Sequence, residues 1–218
     1  MDEYYSGRRP AALYIPRFRN INAATARTDY VRGFGYQGSA IREGWNEQST
    51  TLQGFGADFK NQLTSPGPWL MSLDSFGETL PYAENKISLS ADKKDRWGLP
   101  LVEIDFSFQS NEKQMRKDSK HCAAEMLSAA GCTEINEFDY NSPGGAGIHE
   151  MGGMRMGLDP KTSLLNSQNQ LHSAHNLFVT DGSCMASSAC QNPSLTYMAL
   201  TARACDFAVS ELKKGNLG

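Results

Sequence analysis

The most constraining stretch of the sequence lies near its end. A short apolar run, Leu177-Phe178-Val179-Thr180, leads through Asp181-Gly182 and a polar loop to Asn192-Pro193 and a long helical pattern. Asn is a preferred helix N-cap, and Pro suits the first helical position, where its missing N–H would be unpaired in any case. Leu195, Met198, Ala199, Ala202, Cys205, Val209 and Leu212 follow at helical spacing, with Gly215 beyond the last of them. The segment therefore predicts a strand, a loop, and a helix whose N-terminus is exposed where the loop ends. Such a terminus carries unpaired N–H groups and roughly half a positive charge. It suits negative charge on a ligand, a phosphate or a reduced flavin alike.

Upstream, Ile87 and Leu89 alternate with polar residues, 91–98 reads as a turn, and Val102, Ile104, Phe106 and Phe108 alternate with Glu103, Asp105 and Ser107. That pattern predicts a half-buried antiparallel hairpin. Ser110 or Asn111 then caps a helix reaching about Ala130, with Met115, Ser119, Cys122, Ala123, Met126, Leu127 and Ala130 as its stripe and Gly131 as its stop. Residues 1–84 carry weaker signals. Ala12-Leu13-Tyr14-Ile15 and Trp69-Leu70-Met71-Ser72-Leu73 read as strands, and Gly33 to Gly56, which holds six glycines, reads as loop with strand pieces. No internal repeat and no low-complexity linker interrupts the chain.

A second glycine-rich segment carries the other chemical signal. His149 follows Gly144-Gly145-Ala146-Gly147 and precedes Gly152-Gly153. Glycines on both sides let backbone approach a flat ligand closely. A histidine there is either a general base near neutral pH or a loop residue bonded to a carbonyl. Asn192 is a cap, a ligand contact, or both. Asp181 either closes an Asx-turn with Gly182 or meets a ligand. Met151, Met154 and Met156 read as packing around the loop, and His121, His172 and His175 as surface or helix-face residues.

Composition narrows the classes. Against 21 basic residues stand 24 acidic ones, a net charge of −3 with neither sign segregated, which leaves no basic stripe for nucleic acid. No apolar run approaches a membrane span, and Met1 to Pro10 lacks a signal-peptide core. The five cysteines, Cys122, Cys132, Cys184, Cys190 and Cys205, show no CxxC spacing and do not assemble with the four histidines at ligand spacings. Cys122 and Cys205 fall on apolar helix faces and read as buried free thiols, and no metal site is expected.

Three ordered motifs then resemble the C-terminal region of the glucose–methanol–choline (GMC) oxidoreductases. They are HxxGGxRMG at His149 to Gly157, NLFVTDGS at Asn176 to Ser183, and QNPSLTYMALTARACDFA at Gln191 to Ala208. The resemblance implies FAD as cofactor and oxidation of an alcohol carbon. It implies that His149 takes the hydroxyl proton and that Asn192, at the second catalytic position, orients the hydroxyl, as in the pyranose-oxidase and cholesterol-oxidase branches. It also implies flavin contacts at Asp181, Gly182, Asn192, Pro193 and Thr196.

The family's dinucleotide fingerprint, GxGxxG between an N-terminal strand and a helix, is not found in these 218 residues: Gly33 to Gly38 has the glycine spacing, but no helical pattern opens on it. The expected fold is accordingly α+β. An antiparallel sheet with flanking helices forms a substrate domain over 1–148, and 149–218 forms the C-terminal part of a Rossmann-like FAD-binding domain whose N-terminal half is absent. Met1-Asp2-Glu3-Tyr4-Tyr5 reads as an internal start, and the chain as a fragment that binds FAD poorly alone. The expected parent oxidises a CH–OH group of a sugar or polyol. Rivals are a flavin-dependent lyase of the same family and a binding module that lost its nucleotide half. The fragment reading further expects an exposed apolar face within 176–212 and self-association.

Overall fold

The computed structural model describes residues 13–65 and 67–217. Ala12 and the opening Met1–Tyr5 segment, about which the sequence raised expectations, lie outside the described residues. Strands β1 (Leu13–Ile15), β2 (Phe34–Arg42) and β3 (Trp69–Gly77) form an antiparallel sheet with β2 in the centre. Helices α1 (Trp45–Thr51) and α2 (Gly56–Leu63) lie between β2 and β3. Strands β4 (Lys86–Lys94) and β5 (Pro100–Asp105) make a separate hairpin, which α3 (Ser110–Ala129) follows. After a long irregular stretch come β6 (Gln170–Leu171), β7 (Ala174–Phe178) and α4 (Ser194–Lys213). This is a mixed structure of helices and small antiparallel sheets, as the sequence led us to expect of its first part.

Alternation along β2 sets the layering. Tyr36 pairs with Ser75 and Ile15, so their side chains share one sheet face. That face meets α3. The Tyr36 hydroxyl donates to the Ser119 carbonyl at 2.6 Å, and the Ser75 and Ser119 hydroxyls lie 3.1 Å apart. Tyr30, Phe34, Tyr36, Met115 and Cys122 form the core between them, with Phe18 packed edge-on to Phe34 at 5.4 Å. Each of the large side chains contributes about 1.5–3 kcal/mol through burial. At its edge, Asp118 accepts from Tyr30 Oη at 2.6 Å and from Arg19 Nε at 2.9 Å. Burial raises the Asp118 pKa, but these donors and the Arg19 charge outweigh it and hold the carboxyl below its ordinary value.

Several expectations need correction. Residues 34–42 are a continuous central strand, and the glycines within it mark close approach: a Cβ at Gly38 would lie 2.6 Å from the Ser72 carbonyl oxygen. The α1 and α2 helices, also inside the expected loop, were missed because each is short. The Trp69 strand continues four residues beyond Leu73, to Gly77. The β4–β5 hairpin is exposed on both faces, with Ile87 and Leu89 opposite Ile104 and Val102, so it is not half-buried. Its strand β5 ends at Asp105, leaving Phe106 and Phe108 stacked edge-to-face outside it.

Helix α3 begins one residue early, with Gln109 as N-cap, because Glu112 reaches back to the Gln109 N–H at 3.0 Å. Its stripe is as read, with Met115, Ser119 and Cys122 buried, and Gly131 takes φ +87 at the stop. Helix α4 has two apolar faces. Tyr197, Leu200, Thr201, Ala204 and Phe207 pack inward, whereas Leu195, Met198, Cys205, Val209 and Leu212 are exposed. The stripe read from the sequence is thus the outward one. Cys205 is exposed, contrary to the buried thiol expected, while Cys122 is buried, and all five cysteines are free.

Candidate active site

The end of β7 is fixed from beneath. Asn169, fully buried and at φ +62, donates its amide to the Val179 carbonyl at 3.0 Å and accepts from Arg203 of α4 at 2.9 Å. The chain then turns at Asp181, whose Oδ1 accepts from the Ser183 N–H at 2.9 Å, an Asx-turn opening a one-turn 3₁₀ helix over Gly182–Cys184. Gly182 is buried, and a Cβ there would meet Tyr197 Oη at 2.8 Å and the Glu150 carbonyl at 2.9 Å. Only glycine lets the turn, the His149 segment and α4 meet. Two backbone bonds, Met154 N–H to Ser183 O and Met156 N–H to Cys184 O, each 2.9 Å, then zip the two motifs together.

His149 stands where this zip begins. It follows Ile148 at φ +63, a left-handed conformation that a β-branched residue adopts only under strain. Its Nε2 lies 2.8 Å from Asn192 Oδ1, across 43 residues of sequence. Its Nδ1 is buried without a hydrogen-bond partner among the described residues. The His149 pKa is raised above the usual 6.5, first by the hydrogen bond to Asn192. On one side, a Cβ at Gly152 (φ +91) or Gly153 would make ordinary contacts at 3.8 Å, with the Met185 carbonyl oxygen and Ser183 Cβ, so the segment runs close along the turn that follows Asp181.

Asn192 does not cap α4. Pro193 occupies the cap position, the helix starts at Ser194, and no side chain caps it. The sequence expectation of an Asn192 cap with Pro193 at the first helical position is therefore displaced by one residue. Freed from capping, the Asn192 amide bridges. Its Oδ1 faces His149, and its Nδ2 donates to Gln37 Oε1 at 3.2 Å, on the sheet face opposite α3. Pro193 is buried, and Thr196 is exposed in the first turn.

The loop before Asn192 is anchored to the sheet. Glu78 accepts from Ser187 Oγ at 2.6 Å and Ser188 N at 3.2 Å, and pairs with Arg32 at 3.3 Å. Cys190 is buried against Gly33 and Gly35, and burial pushes its thiol pKa up. Of the residues singled out in the sequence, His149 and Asn192 thus meet directly. Asp181 and Gly182 join them through the zip, and Thr196 lies at the helix end. His172 is a part-buried loop residue near Ser163 and the Gly157 carbonyl, His121 pairs with Glu125 on α3, and Met151, Met154 and Met156 are half-buried.

Sequence reading missed Gln37 and Glu78. Gln37 sat in a segment taken for loop, and alternation of Phe34, Tyr36 and Gly38 against Gly35, Gln37 and Ser39 was the available signal. Chemically, the site offers an imidazole with raised pKa, an amide beside it, a glycine-lined segment, and the N-terminus of a twenty-residue helix. Among the described residues, no group of three or more His, Cys, Asp or Glu is placed to hold a metal ion.

Comparison with known proteins agrees with these motifs. A family model described as GMC oxidoreductase matches residues 81–201. The chain is 34% identical over 138 residues to the fructose dehydrogenase large subunit of Gluconobacter japonicus, an alignment covering 63% of this chain and 25% of that one. It is 29% identical over 222 residues to the 2-methyl-1,2-propanediol dehydrogenase of Mycolicibacterium austroafricanum, covering 94% of this chain and 37% of that one. Among solved structures, pyridoxine 4-oxidase from Mesorbium loti is similar at TM-score 0.40 and 17% identity, over 92% of this chain and 41% of that one. The chain therefore spans well under half the length of these relatives.

Proposed function

The chain belongs to the GMC oxidoreductase family, and from that premise we propose that it carries the catalytic pair of an FAD-dependent enzyme that oxidises a CH–OH group of a sugar or polyol. The observation that carries this reading is the 2.8 Å approach of His149 Nε2 to Asn192 Oδ1 at a glycine-bordered edge. Asn192 caps no helix, and His149 sits beside Ile148 in the left-handed region. Strain of this kind persists where function requires it.

The residues present fit the ring end of a flavin. Gly152 and Gly153 carry no side chain to obstruct a flat group, the turn after Asp181 packs beside them, and α4 starts just past Asn192 with Pro193 at its cap position and Thr196 in its first turn. A helix N-terminus there stabilises negative charge on the group. Among the described residues no glycine-rich turn between strand and helix offers a cradle for the dinucleotide phosphates. We assign that cradle to a Rossmann-like half in the whole protein, with 149–218 completing it and 1–148 forming the substrate domain.

Bound FAD would supply the hydride acceptor. An alcohol oxygen entering between His149 and Asn192 replaces their direct contact. His149 takes the hydroxyl proton at Nε2, with its own ring proton on Nδ1, and Asn192 holds the oxygen in line by its amide. Proton transfer to a positioned base is worth about 10²–10⁴ in rate. On the sheet face beyond the pair, Tyr14, Gln37 and Asp74 form one cross-strand row. Three polar side chains in a row suit a polyhydroxyl substrate better than an apolar alcohol. The fructose and 2-methyl-1,2-propanediol dehydrogenases among the relatives act on substrates of that kind by name.

The test is anaerobic titration of the FAD-loaded protein with sugars and diols. Bleaching of the flavin band by such a substrate, lost in His149→Gln, is the expected result. Substrate consumption without bleaching would replace oxidation by a lyase reaction, and a protein that binds sugars but no FAD would replace catalysis by binding.

A further inference from the structure

The direct contact between His149 and Asn192 needs one donor and one acceptor, and the two residues alone do not determine which is which. With Asn192 Oδ1 toward the ring, Nε2 must carry the proton; with Nδ2 toward the ring, Nε2 must be bare. A third residue joins the pair. Asn192 Nδ2 lies 3.2 Å from Gln37 Oε1, so the amide turned this way has both ends paired. Gln37 is itself well held, being at the centre of the sheet, register-paired with Tyr14 on one side and Asp74 on the other. His149 Nδ1 has no partner in good hydrogen-bond geometry among the described residues, and the Ile148 backbone acts on the ring second to Asn192. The orientation of Asn192 therefore depends on what Gln37 presents to it.

We propose that Gln37 is the positioning residue of this site: its side-chain amide decides which end of Asn192 faces His149, and through it which ring nitrogen of His149 carries the proton. This rests on the function proposed above, where Nε2 accepts a hydroxyl proton only when it is bare. At rest, with Gln37 accepting from Asn192, Nε2 is protonated and the base is masked. Because a glutamine presents either an oxygen or an NH₂ by turning its amide, it can also support the reversed chain, in which Gln37 donates to Asn192 Oδ1 and Asn192 donates to bare Nε2. A substrate hydroxyl that donates to Gln37 Oε1 would favour that reversal and arm the base as the site fills.

The experiment is nitrogen-15 NMR of the whole chain labelled at histidine, with the His149 signals assigned by their loss in His149→Gln. The tautomer of the neutral ring is read, because a charge placed at 37 would by itself move the pKa, on which Glu150 also acts. In the wild type the Nε2–H form should predominate, its ratio to Nδ1–H being roughly fivefold higher than in a variant without the Gln37 hydrogen bond, the preference that one neutral hydrogen bond supports. Gln37→Glu, an acceptor only, should keep or strengthen that preference. Gln37→Leu should lower the Nε2–H to Nδ1–H ratio by about that factor, and Gln37→Lys, a donor only, should lower it further.

Backbone spectra of each variant establish that it is folded, and if the Lys variant does not fold, the Leu variant decides. A folded Leu or Lys variant with the wild-type tautomer ratio, or a wild type with Nδ1–H predominant, would overturn the proposal. Those results leave the base role of His149 untouched, which fails if His149→Gln reduces flavin within about tenfold of the wild-type rate, against the roughly 10²–10⁴ expected of a base.

Discussion

Glu112 is a carboxylate with 1% of its surface exposed, and no cation pairs with it among the described residues; what holds it is four neutral donors. Its Oε1 accepts from the Leu80 N–H at 3.1 Å, Tyr82 Oη at 3.2 Å and Asn111 Nδ2 at 3.1 Å, and its Oε2 from the Gln109 N–H at 3.0 Å. The carboxylate thus fastens the start of α3 to the chain leaving β3. Leu80 is two residues from Glu78, which anchors the loop leading to Asn192. Glu112→Ala strands the Leu80 and Gln109 N–H groups at about 1–3 kcal/mol each, so about 2–6 kcal/mol in all. Removing a buried charge relieves its desolvation penalty and offsets part of that loss. We expect about 2–3 kcal/mol of destabilisation. Glu112→Gln keeps the shape and three of the four bonds, but sets an NH₂ against the Gln109 N–H, at about 1–2 kcal/mol. Urea unfolding followed by circular dichroism measures both, with an unchanged slope showing that stability alone moved. An alanine variant within about 0.5 kcal/mol of wild type, or a glutamine variant as damaging as alanine, would refute the four-donor account.

Gly38→Ala puts a methyl 2.6 Å from the Ser72 carbonyl oxygen and 2.8 Å from Leu73 Cδ2, so the central strand must shift, lowering stability by about 1–3 kcal/mol in thermal unfolding. Asn192→Ala removes the first cause of the raised His149 pKa. Since the base works when deprotonated, the acid limb of the rate profile should lie above pH 6.5 in the wild type and move toward it in the variant. The depressed Asp118 carboxyl stabilises the fold above its unfolded pKa of about 3.8, and that contribution is lost as pH falls through the lower folded value. In Asp118→Asn, unfolding stability should therefore fall less steeply with acid than in the wild type.

What the sequence made legible follows from how local each signal is. The stripe and stop of α3, and the exposed start of α4, come from residues within a turn of one another, so spacing suffices to read them. His149 and Asn192 were found through motif resemblance, and their 2.8 Å meeting across 43 residues depends on the zip between Met154 and Ser183, which no local pattern encodes. The central strand β2 was hidden because Gly35 and Gly38, which serve close packing against Cys190 and Leu73, look like loop glycines when read alone. Helix α4 misled in a different way. It is apolar on two sides, so hydrophobic spacing could not tell the face packed through Ala204 from the one left exposed at Leu195 and Met198. Among the described residues, no helix is long and apolar enough to cross a membrane.

The most direct test of the central claim is the anaerobic rate of flavin reduction in the FAD-loaded protein, compared between wild type and His149→Gln across pH. A fall of about 10²–10⁴ together with disappearance of the acid limb is the predicted result. A variant that reduces flavin within about tenfold of wild type, with the limb unchanged, would contradict His149 as the base and dissolve the reading of the His149–Asn192 pair as the reacting centre.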